Sequence, residues 1–163
     1  MAKYSKTERQ LLLYEIIYTS QRIETKDVVK RLEAGQKMIM RDIMDLTDAG
    51  LINLKYSRKE KAYLKEIPTG ILNETEGTRR YQYLKKLIRL TAFMEELSGA
   101  SIGNDLEYNC RTRYKELFPE VSERTRMRDY QIMKSIGYVI RWNEYEQRHS
   151  VTGYLYEVRE KFE

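Results

Sequence analysis

Apolar residues recur at helical spacing through the first third of the chain. In TERQLLLYEIIYT (7–19), Leu12, Ile16 and Thr19 fall on one stripe with Leu13 and Ile17 beside it, which predicts an amphipathic helix. Residues 20–24 form a polar break, after which Thr25 is placed to cap a short helix, TKDVVKRLE, with Val28, Val29 and Leu32 on its apolar side. Ala34 and Gly35 turn the chain. Ile39, Ile43 and Leu46 then predict a third helix over 36–48, stopped by Gly50. Beyond it LINLKYS and AYLKEI are short runs rich in β-formers that flank the charged turn Arg58-Lys59-Glu60-Lys61, a hairpin signal. Three helices and a hairpin describe a winged helix.

The pattern then lapses and starts again. IPTGILNETEGTRR gathers Pro68, Gly70, Asn73 and Gly77 without a helical period, which places a domain boundary near residue 75. Tyr81, Leu84, Leu87, Ile88, Met94 and Leu97 predict a long helix over 78–98 that ends at Ser98-Gly99. An irregular stretch over 99–103 leads to a helix over 106–117, which Phe118-Pro119-Glu120 breaks. Ser122 is positioned to cap a helix over 123–135 that stops at Gly137. YVIRWNEYE, the polar tip QRHS and VTGYLYEV make a second hairpin.

The two halves share residues as well as order. Met40-Arg41-Asp42 aligns with Met127-Arg128-Asp129, and without a gap Leu46 meets Met133, Gly50 meets Gly137 and Ile52 meets Val139. A repeat of this length is too long for a solenoid unit and fits two whole domains of one kind. The expected fold is mainly α with small β-hairpins: two tandem winged helix-turn-helix domains, residues 1–70 and 78–163, joined by a linker over 71–77.

Val121-Ser122, Thr125, Arg128-Asp129 and the closing Gly137 resemble the third helix of the DeoR-type winged helix-turn-helix, the module that also opens WYL-domain regulators. The resemblance covers both units in outline. It implies sequence-specific binding of double-stranded DNA and a bacterial-type transcriptional regulator. The ligand-sensing domain that usually follows this module is not expected among these 163 residues. The first unit departs from the pattern, with Gly35 where the serine is expected and Met38 where the threonine is; the second has Arg126 where a buried aliphatic is usual. Arg126 is therefore expected either to rotate the helix slightly or to snorkel to the surface.

In such a module the N-terminal side chains of the third helix meet base edges. These are Gln36, Lys37, Met38 and Arg41 in the first unit, and Ser122, Arg124, Thr125, Arg126 and Arg128 in the second. Arginine suits guanine, glutamine suits adenine, and threonine can meet a thymine methyl. Arg58, Lys59, Lys61 and Arg148 are placed at hairpin tips within reach of phosphates. Asp42 and Asp129 do not face their neighbouring arginines on a helix, so each is expected to brace another element. The 78–98 helix is a candidate surface for pairing two chains.

Composition narrows the alternatives. The 163 residues are 41% hydrophobic and 34% charged, with two prolines and eight glycines, which excludes collagen-like and low-complexity classes. A single cysteine, Cys110, and a single histidine, His149, leave no zinc cluster and no internal disulfide, and no cofactor or metal is expected. No catalytic constellation stands out, so an enzyme is not expected. The N-terminus is polar and no run is long and apolar enough for a membrane helix, which points to a cytoplasmic protein without a membrane partner. The net charge of +5 favours acidic partners. Two other readings remain open: a plasmid-type replication initiator, and a non-enzymatic subunit whose winged helices contact protein.

Overall fold

The computed structural model describes residues 3–103, 110–143 and 148–151. It is mainly helical with small antiparallel sheets, and the chain divides into two compact units, 1–91 and 92–163.

The first unit opens with α1 (Lys6–Thr19), whose start is fixed by a capping box between Ser5 and Glu8. Arg9, Gln10, Leu11, Leu12, Leu13, Tyr14, Ile16 and Ile17 are all buried, so α1 is covered nearly all round and forms the centre of this unit. Thr19, expected on the apolar stripe, is exposed instead and donates its hydroxyl to the Glu15 carbonyl at 2.9 Å. Next comes β1 (Arg22–Ile23), a third strand where only a polar break was expected; Ile23 is its one buried residue. Thr25 does not cap α2 (Thr25–Leu32) but begins it, since Glu24 holds the cap position without a side-chain bond.

Helix α3 (Gln36–Asp48) has the expected bounds. Gly50 follows it at φ +76, and a Cβ there would lie 2.5 Å from the Ile71 amide nitrogen. Only glycine suits both the left-handed conformation and that approach. The close neighbour is the chain returning from the hairpin β2 (Leu54–Ser57) and β3 (Ala62–Lys65): Gly70 N–H donates to the Gly50 carbonyl at 3.0 Å and Asn73 N–H to the Asp48 carbonyl at 2.7 Å. The sheet order is β1-β3-β2, all antiparallel, with Ser57 opposite Ala62 at the hairpin end. Residues 71–77 carry neither helix nor strand. Helix α4 (Arg79–Gly103) follows, and its residues up to Thr91 belong to this unit.

The second unit begins within α4. The helix runs through Ser98-Gly99, where a stop was expected, and the supposedly irregular 99–103 is helical. A glycine inside a helix costs only about 1 kcal/mol relative to alanine, too little to end a well-buried helix. Phe93 and Leu97 on this stretch are fully buried. Of the helix expected over 106–117, the described part is α5 (Cys110–Leu117); 106–109 lie outside the described residues. Ser122 caps α6 (Glu123–Ser135) as expected, its hydroxyl accepting from the Thr125 amide, and Gly137 follows at φ +117. The core between these helices is aromatic: Phe93 meets Tyr114 edge-on at 5.1 Å and stacks on Tyr130 at 5.6 Å.

Strands β4 (Ile140–Asn143) and β5 (Arg148–Val151) pair antiparallel from Ile140 opposite Val151 to Asn143 opposite Arg148. Pairing thus extends over Arg148, His149 and Ser150, which were expected in a QRHS tip but lie in a strand. Residues 144–147 between the strands, and the later part of the expected second arm, lie outside the described residues.

Candidate nucleic-acid interface

Polar bonds along the inner side of α3 set which face it presents outward. Asp42 is 1% exposed and takes both Nε and Nη2 of Arg9 on α1, the latter at 3.0 Å. Gln10 donates to Asp42 at 3.0 Å and to Asp45 at 2.8 Å. Arg80 on α4 bridges Asp45, Asp48 at 2.7 Å and Glu74 at 2.9 Å. Burial alone would raise the Asp45 carboxyl, but hydrogen bonds from Arg80 and Gln10 with the nearby Lys6 charge outweigh it and hold the group below its ordinary value. The bond that Arg9 donates to Asp42 in turn raises its guanidinium. Asp42 therefore braces α1, as its position predicts.

With its carboxylates turned inward, α3 shows Gln36, Lys37, Met38, Met40, Arg41 and Met44 to solvent. The four residues proposed from sequence share this exposed surface, and Met40 and Met44 belong to it too. Both lie one turn on from Gln36 and Met40 respectively, so the helical period could have found them. The hairpin stands beside this face: the Tyr63 hydroxyl approaches Met40 Sδ at 3.9 Å, and Tyr56 packs edge-on against Tyr63 at 5.2 Å. At the hairpin end Arg58, Lys59 and Lys61 are exposed. Glu60 between them is drawn aside by Arg22, which bonds its carbonyl at 2.9 Å and approaches its carboxylate at 3.7 Å.

Helix α6 presents the same positions outward. Under the alignment of Met40 with Met127, exposed Gln36, Lys37, Met40, Arg41, Met44 and Thr47 match exposed Glu123, Arg124, Met127, Arg128, Gln131 and Lys134. Buried Ile39, Asp42, Leu46 and Ala49 match buried Arg126, Asp129, Met133 and Ile136. Asp129 accepts from the Tyr114 hydroxyl on α5, so it too braces a neighbouring helix.

Arg126 does not snorkel to the surface. It is 5% exposed, its Nε and Nη2 donate to Glu123 Oε2 at 3.0 and 2.6 Å, and its guanidinium lies 4.8 Å from the Tyr130 ring centroid. Its Nη1 is buried without a hydrogen-bond partner among the described residues. Such a side chain is not presented to a ligand. The bond from Arg126, aided by Lys115, holds the Glu123 carboxyl down at about 2.

Ser122 and Thr125 are also engaged locally, the serine hydroxyl accepting from the Thr125 amide at 3.2 Å and donating to its Oγ1 at 3.1 Å. That leaves Arg124 and Arg128 as the exposed cations near the start of α6, and no ion pair holds either among the described residues. The Arg148 side chain lies outside the described residues.

Compared with protein-family models, with curated proteins and with solved structures, the chain finds no match in any of the three. Among the described residues no helix is long and apolar enough to cross a membrane, and no group of His, Cys, Asp and Glu is arranged to hold a metal ion. A cleft of about 380 Å³ opens between α1 and the base of the first hairpin. Two of its polar side chains bond within the unit, Lys65 to the Tyr18 carbonyl at 2.8 Å and Asn53 to the Ile67 carbonyl at 3.2 Å.

Proposed function

We propose that the protein binds double-stranded DNA sequence-specifically as a bacterial-type transcriptional regulator, with two winged helices that offer α3 and α6 to major grooves. The observation that carries this reading is the common outward face of the two helices. Each is 13 residues long, and each shows cations at equivalent positions, Lys37 and Arg41 on one, Arg124 and Arg128 on the other. An α-helix fits the major groove, where arginine forks onto guanine and lysine meets guanine or phosphate. Arg58, Lys59 and Lys61 supply the phosphate contacts expected of a wing. Arg126 is withdrawn from the set because its side chain is buried against Glu123 and Tyr130.

The test is selection of bound duplexes from a random pool, followed by titration of the preferred and a scrambled duplex. Arg124→Ala or Arg128→Ala is expected to cost about 1–3 kcal/mol on the preferred site and less on the scrambled one. Replacing Arg58 and Lys59 by alanine should weaken both alike and flatten the salt dependence by about 0.9 per lost contact. A chain that selects no duplex sequence defeats the reading.

A further inference from the structure

The outward faces of α3 and α6 agree in position and differ in chemistry. Along the middle of its exposed side α3 carries Met40 and Met44, 37% and 62% exposed, with Met38 at its edge, 40% exposed. The equivalents of Met44 and Met38 on α6 are Gln131 and Thr125, and only the Met40 position keeps a methionine there, Met127, 41% exposed. The apolar surface does not stop at the helix: Tyr63 touches Met40, and Tyr56, 52% exposed, continues it onto the hairpin.

Around this apolar strip the exposed charges are positive. Lys37 and Arg41 flank it on α3, whereas Asp42, Asp45 and Asp48 bond to Arg9, Gln10 and Arg80. An apolar strip framed by cations fits a polyanion that shows methyl groups. The major groove is such a surface, because thymine carries a C5 methyl at the groove edge between the two phosphate backbones. Methionine is unbranched and polarisable, so it can adjust to a methyl whose position varies with the base step.

Resting on the DNA-binding reading, we propose that α3 recognises an A·T-rich half-site through contacts of Met40 and Met44 with thymine methyls, with Gln36 forking onto an adenine. Helix α6, with Arg124 and Arg128 on the same face, takes a guanine-containing half-site. The first copy then reads bases without the serine and threonine of the resembled module. The selected motif is consequently asymmetric, with one half rich in thymine.

The experiment uses the full chain and its selected duplex, with each thymine replaced in turn by deoxyuridine. This removes only the C5 methyl and leaves base pairing intact. Affinity, read by fluorescence anisotropy, should fall about fourfold per contacted methyl, the equivalent of losing one buried methyl-sized group. More of the losses should fall in the half-site of α3, which offers Met40 and Met44, than in that of α6, which offers Met127 alone. A chain carrying Met40→Gln and Met44→Gln should bind the thymine duplex more weakly and lose nothing further with deoxyuridine in the α3 half-site. Met44→Leu, which stays apolar, should keep the sensitivity, as should Arg124→Ala on the other helix.

A selected duplex bound equally well with thymine or deoxyuridine at every position overturns the methyl contacts while leaving DNA binding intact. Deoxyuridine sensitivity that survives in that half-site in the double methionine variant assigns the methyls to other residues and also overturns the proposal. So does a double variant that binds normally but changes the oligomeric state, which would make the strip a contact between copies. Failure to select any duplex defeats the underlying DNA-binding reading instead.

Discussion

The two units hold equivalent helices by different means. Helix α3 is held by charge: three carboxylates on its inner side meet Arg9, Gln10 and Arg80 from two other helices. Helix α6 is held by rings: Tyr130 packs with Phe93 and Tyr114, and one carboxylate, Asp129, accepts a neutral hydroxyl. Similar outward faces therefore stand on supports that respond differently to mutation and acid. A bidentate ion pair fixes direction, because guanidinium and carboxylate must lie in register. A ring cluster supplies buried area with looser geometric demands.

The largest expected difference is between the two equivalent aspartates. Asp42→Ala leaves the Arg9 guanidinium buried without its partner and should cost about 3–5 kcal/mol in urea denaturation. Asp129→Asn removes one charge-assisted bond from Tyr114 and should cost about 1.5–3 kcal/mol. Equal losses would mean that the ionic support is no stronger a constraint than the aromatic one.

Acid should separate the units next. The Asp45 carboxyl is held below its ordinary 3.8, so its contribution is present above that pH and is lost as pH falls through the lower folded value. Glu123 obeys the same sign between its ordinary 4.5 and about 2, but it lies exposed to solvent, which screens its ion pairs. Amide hydrogen exchange at pH 5 and pH 3 should therefore show α3 losing more protection than α6. The reverse order would place the acid-sensitive support in the second unit.

The smallest expected effect is a gain. Position 126 corresponds to fully buried Ile39, yet holds an arginine whose Nη1 has no partner among the described residues. Arg126→Ile should stabilise the chain by about 1 kcal/mol in thermal or urea melts, since Glu123 retains Lys115 at 3.3 Å and Arg111 at 3.6 Å. A loss would show that the contact with Tyr130 outweighs the unsatisfied donor.

Local signals were legible in the sequence, and long-range partners were not. Apolar spacing with the Gly50 stop gave the bounds of α3, and the Ser122 cap with the Gly137 stop gave those of α6, signals that follow from chemistry within a few residues. That Asp42 and Asp129 act as braces follows from helix geometry, but Arg9 and Tyr114 as their partners depend on packing. Arg126 is instructive because its signal was local: Glu123 is three residues before it and Tyr130 four after, both within reach on one helix. Strand β1 was missed because two residues show no alternation and gain their pairing only from β3. The expected stop at Gly99 failed because a weak local preference yields to burial. Of the candidate interface, the cations were legible from residue type and position. The methionine strip became apparent only once α3 had an inside and an outside.

The bond between Arg22 and Glu60 has a consequence for time rather than for affinity. By drawing the single acid of the first hairpin loop toward β1, it leaves Arg58, Lys59 and Lys61 as an almost undiluted point of positive charge at an exposed end. Such a point acts before any contact forms, out to a screening length of about 8 Å at physiological salt. It raises the frequency and biases the orientation of encounters with a polyanion, and leaves the lifetime of the finished complex to the contacts made afterwards. Under the DNA-binding proposal, the loop would govern how soon the duplex is met, while the helix faces would govern how long it stays.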